Sequence, residues 1–166
     1  MQKILIAVAS KHGATTGIGA EIGRTLADAG MSVEVSPPEE VASIEPFDAV
    51  VIGSAVYAGH WQSEAREFID RFSADLKRKP VWLFSSGPIG DPPKPEADPV
   101  DIADYVAWTG ARAHEVFAGS LDKEALSLPE RAIARALRAP FGDFREWDAI
   151  HAWAEEIAAE LAPAPH

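Results

Sequence analysis

The amino-acid sequence predicts an α/β protein built on a doubly wound sheet of five parallel strands in the order 2-1-3-4-5. Three observations carry that expectation. Strand-like and helix-like segments alternate from one end of the chain to the other. Lys3–Val8, Phe47–Gly53 and Val81–Ser85 are nearly continuous apolar runs, the pattern of strands covered on both faces. The connections are short, and right-handed crossovers then spread the helices over both faces of the sheet.

The elements follow in order. After the first strand, Ile18, Ile22, Leu26 and Ala29 recur at helical spacing, and Gly30 stands just beyond them at a C-cap position. Ser32–Ser36 alternates like a strand with one solvated face, ended by Pro37-Pro38. Phe47–Gly53 is the third strand, and Phe68, Ile69, Phe72 and Leu76 mark the next helix. Val81–Ser85 is the fourth strand. Ile102, Ala103, Val106 and Ala107 predict a helix ending near Gly110, and Ala113–Ala118 a fifth strand. Residues 121–144 read as an insert with its own short helical pattern at Ile133, Ala134 and Leu137. Trp147, Ile150, Ala154, Ile157 and Leu161 line one face of the last helix. No repeat or linker interrupts the pattern, so 1–162 read as one domain and 163–166 as a frayed tail.

The 166 residues suit one domain, and a core of this size buries roughly two-thirds of the unfolded surface. The absence of cysteine excludes disulfides, thiolate nucleophiles and Cys-ligated metal or iron–sulfur sites. None of the five histidines pairs with another at the i, i+4 spacing of a helical metal site, so no metal is expected. The net charge of −11 lacks the electrostatic footprint of a nucleic-acid binder. It suits solubility and docking on basic partners. No apolar run approaches the length of a membrane span. The chain enters its first strand without a signal-peptide pattern, and the expected location is cytoplasmic.

Doubly wound sheets bind ligands outside the carboxyl ends of their strands, at the topological switch point. The loops leaving strands 1, 3 and 4 are therefore the candidate site. In the first, Ser10, Lys11, His12, Gly13, Ala14 and Thr15 join a buried strand to a helix. Hydroxyls of Ser10, Thr15 and Thr16, a backbone turn at Gly13 and the positive end of the helix suit a phosphate monoester; Thr15 also fits a plain helix cap. The second loop is Ser54, Ala55, Val56, Tyr57, Ala58, Gly59, His60 and Trp61. Tyr57 and Trp61 can wall a flat ring, Gly59 admits close backbone approach, and His60 can donate a hydrogen bond or a proton. Trp61 fits a core position equally well. The third loop, Ser85, Ser86, Gly87, Pro88, Ile89 and Gly90, offers small residues whose backbone groups can bond the polar edge of a pyrimidine. A phosphate cradle beside a slot for a flat ring suits a flavin that carries a phosphate, as FMN does, while an ordinary βα turn and a plain surface loop remain the alternative readings.

Competing patterns fail on particular residues. Gly13-x-x-x-Gly17-x-Gly19 has the glycine spacing of short-chain dehydrogenases, but Ala9–His12 separate the strand from the first glycine and no Tyr-x-x-x-Lys dyad is present. No Gly-Lys-Ser/Thr makes a P-loop. The strand ends Ala9-Ser10 and Gly53-Ser54 lack the acidic residues of a phosphoacceptor receiver.

The segment Ser10-x-x-Gly13-x-Thr15 between strand and helix resembles the phosphate loop of the flavodoxin family, with His12 where the family usually carries a hydroxyl. Val51–Trp61, then Ser63 and Glu67-Phe68-Ile69, and Phe117-Ala118-Gly119 ahead of an insert, resemble menaquinone-dependent protoporphyrinogen oxidase and its flavodoxin-domain relatives. The resemblance covers nearly the whole chain. It implies a flavodoxin-like three-layer sandwich that holds FMN and serves electron transfer or flavin-dependent oxidation and reduction, with a redox protein or a quinone as partner. One alternative is a quinone-dependent protoporphyrinogen dehydrogenase of haem biosynthesis, with His60 as its proton carrier. Another is a flavin-free binding module on the same fold. The insert carries Arg131, Arg135 and Arg138 but also Asp122, Glu124 and Glu130, which leaves 121–144 a candidate for peripheral docking on a membrane or partner.

Overall fold

The computed structural model describes residues 2–10, 14–57, 60–86, 102–117, 120–121, 142–143 and 147–161. The chain runs β1 (Lys3–Ala9), α1 (Ala14–Asp28), β2 (Ser32–Ser36), a 3-10 turn (Pro38–Glu40), β3 (Ala49–Tyr57), β4 (His60–Trp61) and α2 (Ser63–Leu76). It continues through β5 (Val81–Ser86), α3 (Ile102–Thr109), β6 (Ala113–Phe117), β7 (Ser120–Leu121), β8 (Gly142–Asp143) and α4 (Trp147–Leu161). The parallel strands stand in the order β2-β1-β3-β5-β6, which is the expected 2-1-3-4-5 once β4 is set aside.

Alternation along the central strands sends side chains to two separate apolar layers. Leu5, Ala7, Val50, Ile52, Val81 and Leu83 meet Phe68, Ile69, Phe72 and Tyr105 from α2 and α3. Ile4, Ile6, Val8, Val51, Trp82 and Phe84 meet Ile18, Ile22, Leu26, Ile150, Trp153 and Ile157 from α1 and α4. Fully burying such a side chain contributes about 1.5–3 kcal/mol, so these two layers supply most of the driving force for folding. The apolar stripe predicted for α2 is buried. In α1 Ile18, Ile22 and Leu26 are buried, while Ala29 lies exposed beyond the helix end. In α4 Ile150, Ala154, Ile157 and Leu161 are buried, while Trp147 is exposed and Trp153 takes its place in the core.

Close approach fixes two glycines. A Cβ at Gly19 would lie 2.6 Å from Val8 Cγ2, so α1 lies tight against β1. That packing accounts for the last glycine of the dehydrogenase-like spacing without a dinucleotide. A Cβ at Gly53 would lie 2.1 Å from the Phe84 ring, which fills the space above β3. Gly30 and Gly110, at φ +97° and +67°, end α1 and α3 as the sequence predicts.

Two loops expected from sequence are partly strand. Ser54–Tyr57 continue β3: Ser54 pairs with Ala9 and Ser85, and Ala55 with Ser86. The chain then turns back, with Val56 opposite Trp61 and Tyr57 opposite His60 in an antiparallel hairpin. Small residues after Gly53 resemble a loop in composition, yet the neighbouring strands offer them ladder partners. Ser86 likewise belongs to β5, one residue beyond the predicted strand end at Ser85. The paired strands β7 and β8 stand at the two ends of the predicted insert. Its helical pattern and its arginines lie outside the described residues.

Candidate functional site

The switch point falls between β1 and β3, because the chain leaves β1 toward β2 on one side and returns to β3 on the other. Half-buried Ser10 follows β1, and α1 starts at Ala14. The first turn of α1 carries no acidic side chain, whereas α2, α3 and α4 carry Glu64, Asp104 and Asp148 there. A carboxylate in the first turn offsets the positive end of a helix dipole. The N-terminus of α1 therefore stands without that compensation, at the edge of the sheet where ligands bind. Thr15 is buried at 2% exposure, which makes it an inward-facing residue of the first turn, and Thr16 is exposed. Lys11, His12 and Gly13 lie outside the described residues.

A cleft of about 310 Å³ opens at this edge, lined by Val8, Ala9, Ser10, Thr16, Pro37, Glu39, Gln62 and Glu64. A larger hollow of about 510 Å³, lined by Lys3, Ser32, Glu34 and Phe47 among others, lies at the amino ends of β1 and β2. Strand polarity favours the smaller cleft, since backbone donors and helix N-termini converge only at the carboxyl edge. Two carboxylates, Glu39 and Glu64, stand on its wall; Glu64 also belongs to the first turn of α2.

The hairpin is tied down from below. Ser54 Oγ donates to the Ala55 carbonyl at 2.9 Å and accepts from the Gln62 amide at 2.9 Å. Trp61 Nε1 donates to Ser85 Oγ at 2.7 Å, and that oxygen lies 2.7 Å from His114 Nε2. Trp61 is 6% exposed and packs on the Tyr105 ring at 5.2 Å between centroids. Of its two sequence readings, this burial and these contacts fit the core one, a strut under the hairpin. Val56 shares its face and its burial, as a directly opposite residue does. The hydroxyls of Ser54 and Ser85 are committed to these bonds, and both residues are fully buried with ladder partners on either side. His60 is exposed at the hairpin's end. Ser86 is buried at the end of β5, Ala55 is half-buried, and Tyr57 closes β3. Ala58, Gly59, Gly87, Pro88, Ile89 and Gly90 lie outside the described residues.

Sequence reasoning overlooked His114 and Gln62. His114 left one signal, a polar residue with ring nitrogens inside an otherwise short strand. Gln62 acts through its backbone amide, which no sequence pattern marks. Among the described residues, His, Asp and Glu form no group of three able to hold a metal ion, and no helix is long and apolar enough to cross a membrane.

Together these features define a doubly wound α/β protein whose carboxyl edge presents a helix N-terminus with no acidic first turn beside a braced hairpin. Residues 5–146 match the model of the flavodoxin domain, and the chain belongs to that family. Solved structures agree on the fold. A short-chain flavodoxin associated with a non-canonical PDU bacterial microcompartment is 15% identical, with 98% of this chain and 100% of that one covered at a TM-score of 0.65. A cysteine-to-serine mutant of flavodoxin from Pseudomonas aeruginosa is 14% identical over 96% and 98%, at 0.60. A Fusobacterium nucleatum flavodoxin mutant bound to flavin mononucleotide is 21% identical over 68% of each chain, at 0.54. No curated protein matches the chain, and none of the comparisons supports a relation to protoporphyrinogen oxidase.

Proposed function

We propose that this chain binds FMN at the carboxyl edge of its sheet and works as a cytoplasmic, single-domain electron-transfer protein. The observation that carries the reading is the N-terminus of α1: alone among the described α-helices it lacks an acidic first turn, and it opens directly after β1 at the switch point. A phosphate monoester supplies the negative charge that this helix end lacks. Family membership makes FMN the natural bearer of that phosphate.

The residues fit such a group. Ser10, the backbone amides opening α1 and residues 11–13 would hold the phosphate. The ends of β3 and β5, Ala55–Tyr57 and Ser86, with the segments 58–60 and 87–90, would hold the ring. Bound FMN supplies the one- and two-electron chemistry, which the protein tunes. The short side chain of half-buried Ala55 would leave room for a ring edge. The acidic surface, net −11, disfavours added negative charge on the reduced flavin and draws basic redox partners. Electron transfer alone demands no catalytic acid or base from the chain. The test is an absorption spectrum with FMN titrated into the protein; riboflavin, which lacks the phosphate, should bind much more weakly.

A second reading, a quinone-dependent protoporphyrinogen dehydrogenase, draws on His60, exposed at the end of the hairpin where a proton carrier would be needed. Steady turnover of a porphyrinogen with a quinone, abolished in His60→Ala while FMN stays bound, would favour it over a carrier. The insert 121–144 is the candidate docking element for either partner.

A further inference from the structure

We infer that His114 is a positioning residue for the flavin slot: it holds Ser85, and through Ser85 the Trp61 foot of the β3–β4 hairpin, in a single arrangement. The inference rests on the FMN reading above. The hairpin needs such a support. Its ladder has two pairs, Val56 with Trp61 and Tyr57 with His60, and so short a strand pair has little stability of its own. Side chains below it supply what the ladder lacks. Ser54 and Ser85 are register partners on adjacent strands. Ser54 holds the Gln62 amide, and Ser85 holds the Trp61 indole.

The polarity of the second anchor follows from donor chemistry. An indole can only donate, so Ser85 Oγ accepts from Trp61; the same hydroxyl bonds His114 Nε2, 2.7 Å away, in the direction set by the His114 tautomer. Ser85 is fully buried and Trp61 nearly so; a hydroxyl there with one partner removed is free to rotate toward another, and the indole it orients turns with it. His114 sits on β6, the edge strand, so the chain of bonds spans β4, β5 and β6. Those three elements carry or adjoin the segments proposed to hold the ring. His114 acts from two strands away, through hydrogen bonds alone.

The test is FMN titration, potentiometry and thermal unfolding of the full chain. The variants are His114→Ala, His114→Gln, Ser85→Ala, the His114→Ala/Ser85→Ala double mutant and a control, His151→Ala. The control removes a comparable bond, His151 Nδ1 to Thr25 Oγ1 at 2.9 Å, between α1 and α4. His114→Ala should weaken FMN binding about tenfold, the size of one buried hydrogen bond, and shift the midpoint potential, which hydrogen bonds around a flavin ring tune. Ser85→Ala should match it, and the double mutant should be no worse than either single. Glutamine reaches the Nε2 position and should return both readouts to within about twofold of wild type. His151→Ala should lower Tm and leave affinity and potential unchanged. If His114→Ala and Ser85→Ala lower Tm while affinity and potential stay at wild-type values, the network only stabilises the fold and the inference is overturned. Wild-type protein that takes up no FMN overturns the FMN reading itself, and this inference with it.

Discussion

Gly53 shows how a single position can be fixed by a neighbour's ring. The Phe84 side chain occupies the volume a Cβ would need, 2.1 Å from its position, and Phe84 is itself held against Phe117 and Trp153. Gly53→Ala should cost about 1–3 kcal/mol by overpacking, read as a lower urea midpoint with little change in m. Glu39 and Glu64 test the cleft in another way. If an anion occupies the space they line, Glu39→Gln should tighten FMN binding by up to about threefold at low salt, and the gain should fade as salt screens it. An unchanged affinity at every salt concentration would place the phosphate elsewhere. At this scale the sequence was legible where one residue has one use. Gly30 announced a helix end because a positive φ favours glycine. Trp61 did not announce its place, since an aromatic after a loop serves a core or a ligand equally well. Only its bond to Ser85 and its packing on Tyr105 decide between them. His114 stood out only as a polar residue within a short strand, because its role depends on a hydroxyl 29 positions away in the chain.

Among the elements, α1 makes the sharpest claim. Its first turn lacks an acid, so Thr16→Asp places one at an exposed position there. The new carboxylate should stabilise the apo protein by about 0.3–1 kcal/mol through the helix dipole. The same charge should weaken FMN binding severalfold and erase the preference for FMN over riboflavin. The two effects have opposite signs. A rise in Tm without loss of FMN would mean that the helix end is only an uncapped terminus. The buried strands were readable because apolar runs admit few other uses, and their lengths were underestimated for a physical reason. Ser54, Ala55 and Ser86 join the sheet through ladder bonds to neighbours, which composition does not record. The β3–β4 hairpin was hidden in the same way: two residues separate Tyr57 from His60, and their pairing is visible only in space.

For the whole molecule, order and polarity of the sheet follow from alternation and crossover handedness, and both were foreseeable. Function depends on what the carboxyl edge holds. A ligand that binds only the folded state stabilises it by RT ln(1 + [L]/Kd), about 2.7 kcal/mol at a hundredfold excess over Kd. Thermal unfolding should therefore rise steadily with FMN concentration and hardly move with riboflavin at the same concentrations. The charge of −11 makes a second prediction. Electron transfer to a basic redox protein should slow steeply as ionic strength increases, and transfer to a neutral small-molecule acceptor should not.

The most direct test of the central claim is a visible spectrum of the purified protein, followed by titration of FMN into the apo form. The account predicts a bound-flavin spectrum, saturable uptake at micromolar FMN and quenched flavin fluorescence. A colourless protein that leaves the fluorescence of added FMN unchanged would contradict it, and the chain would then be a flavodoxin fold put to a flavin-free use.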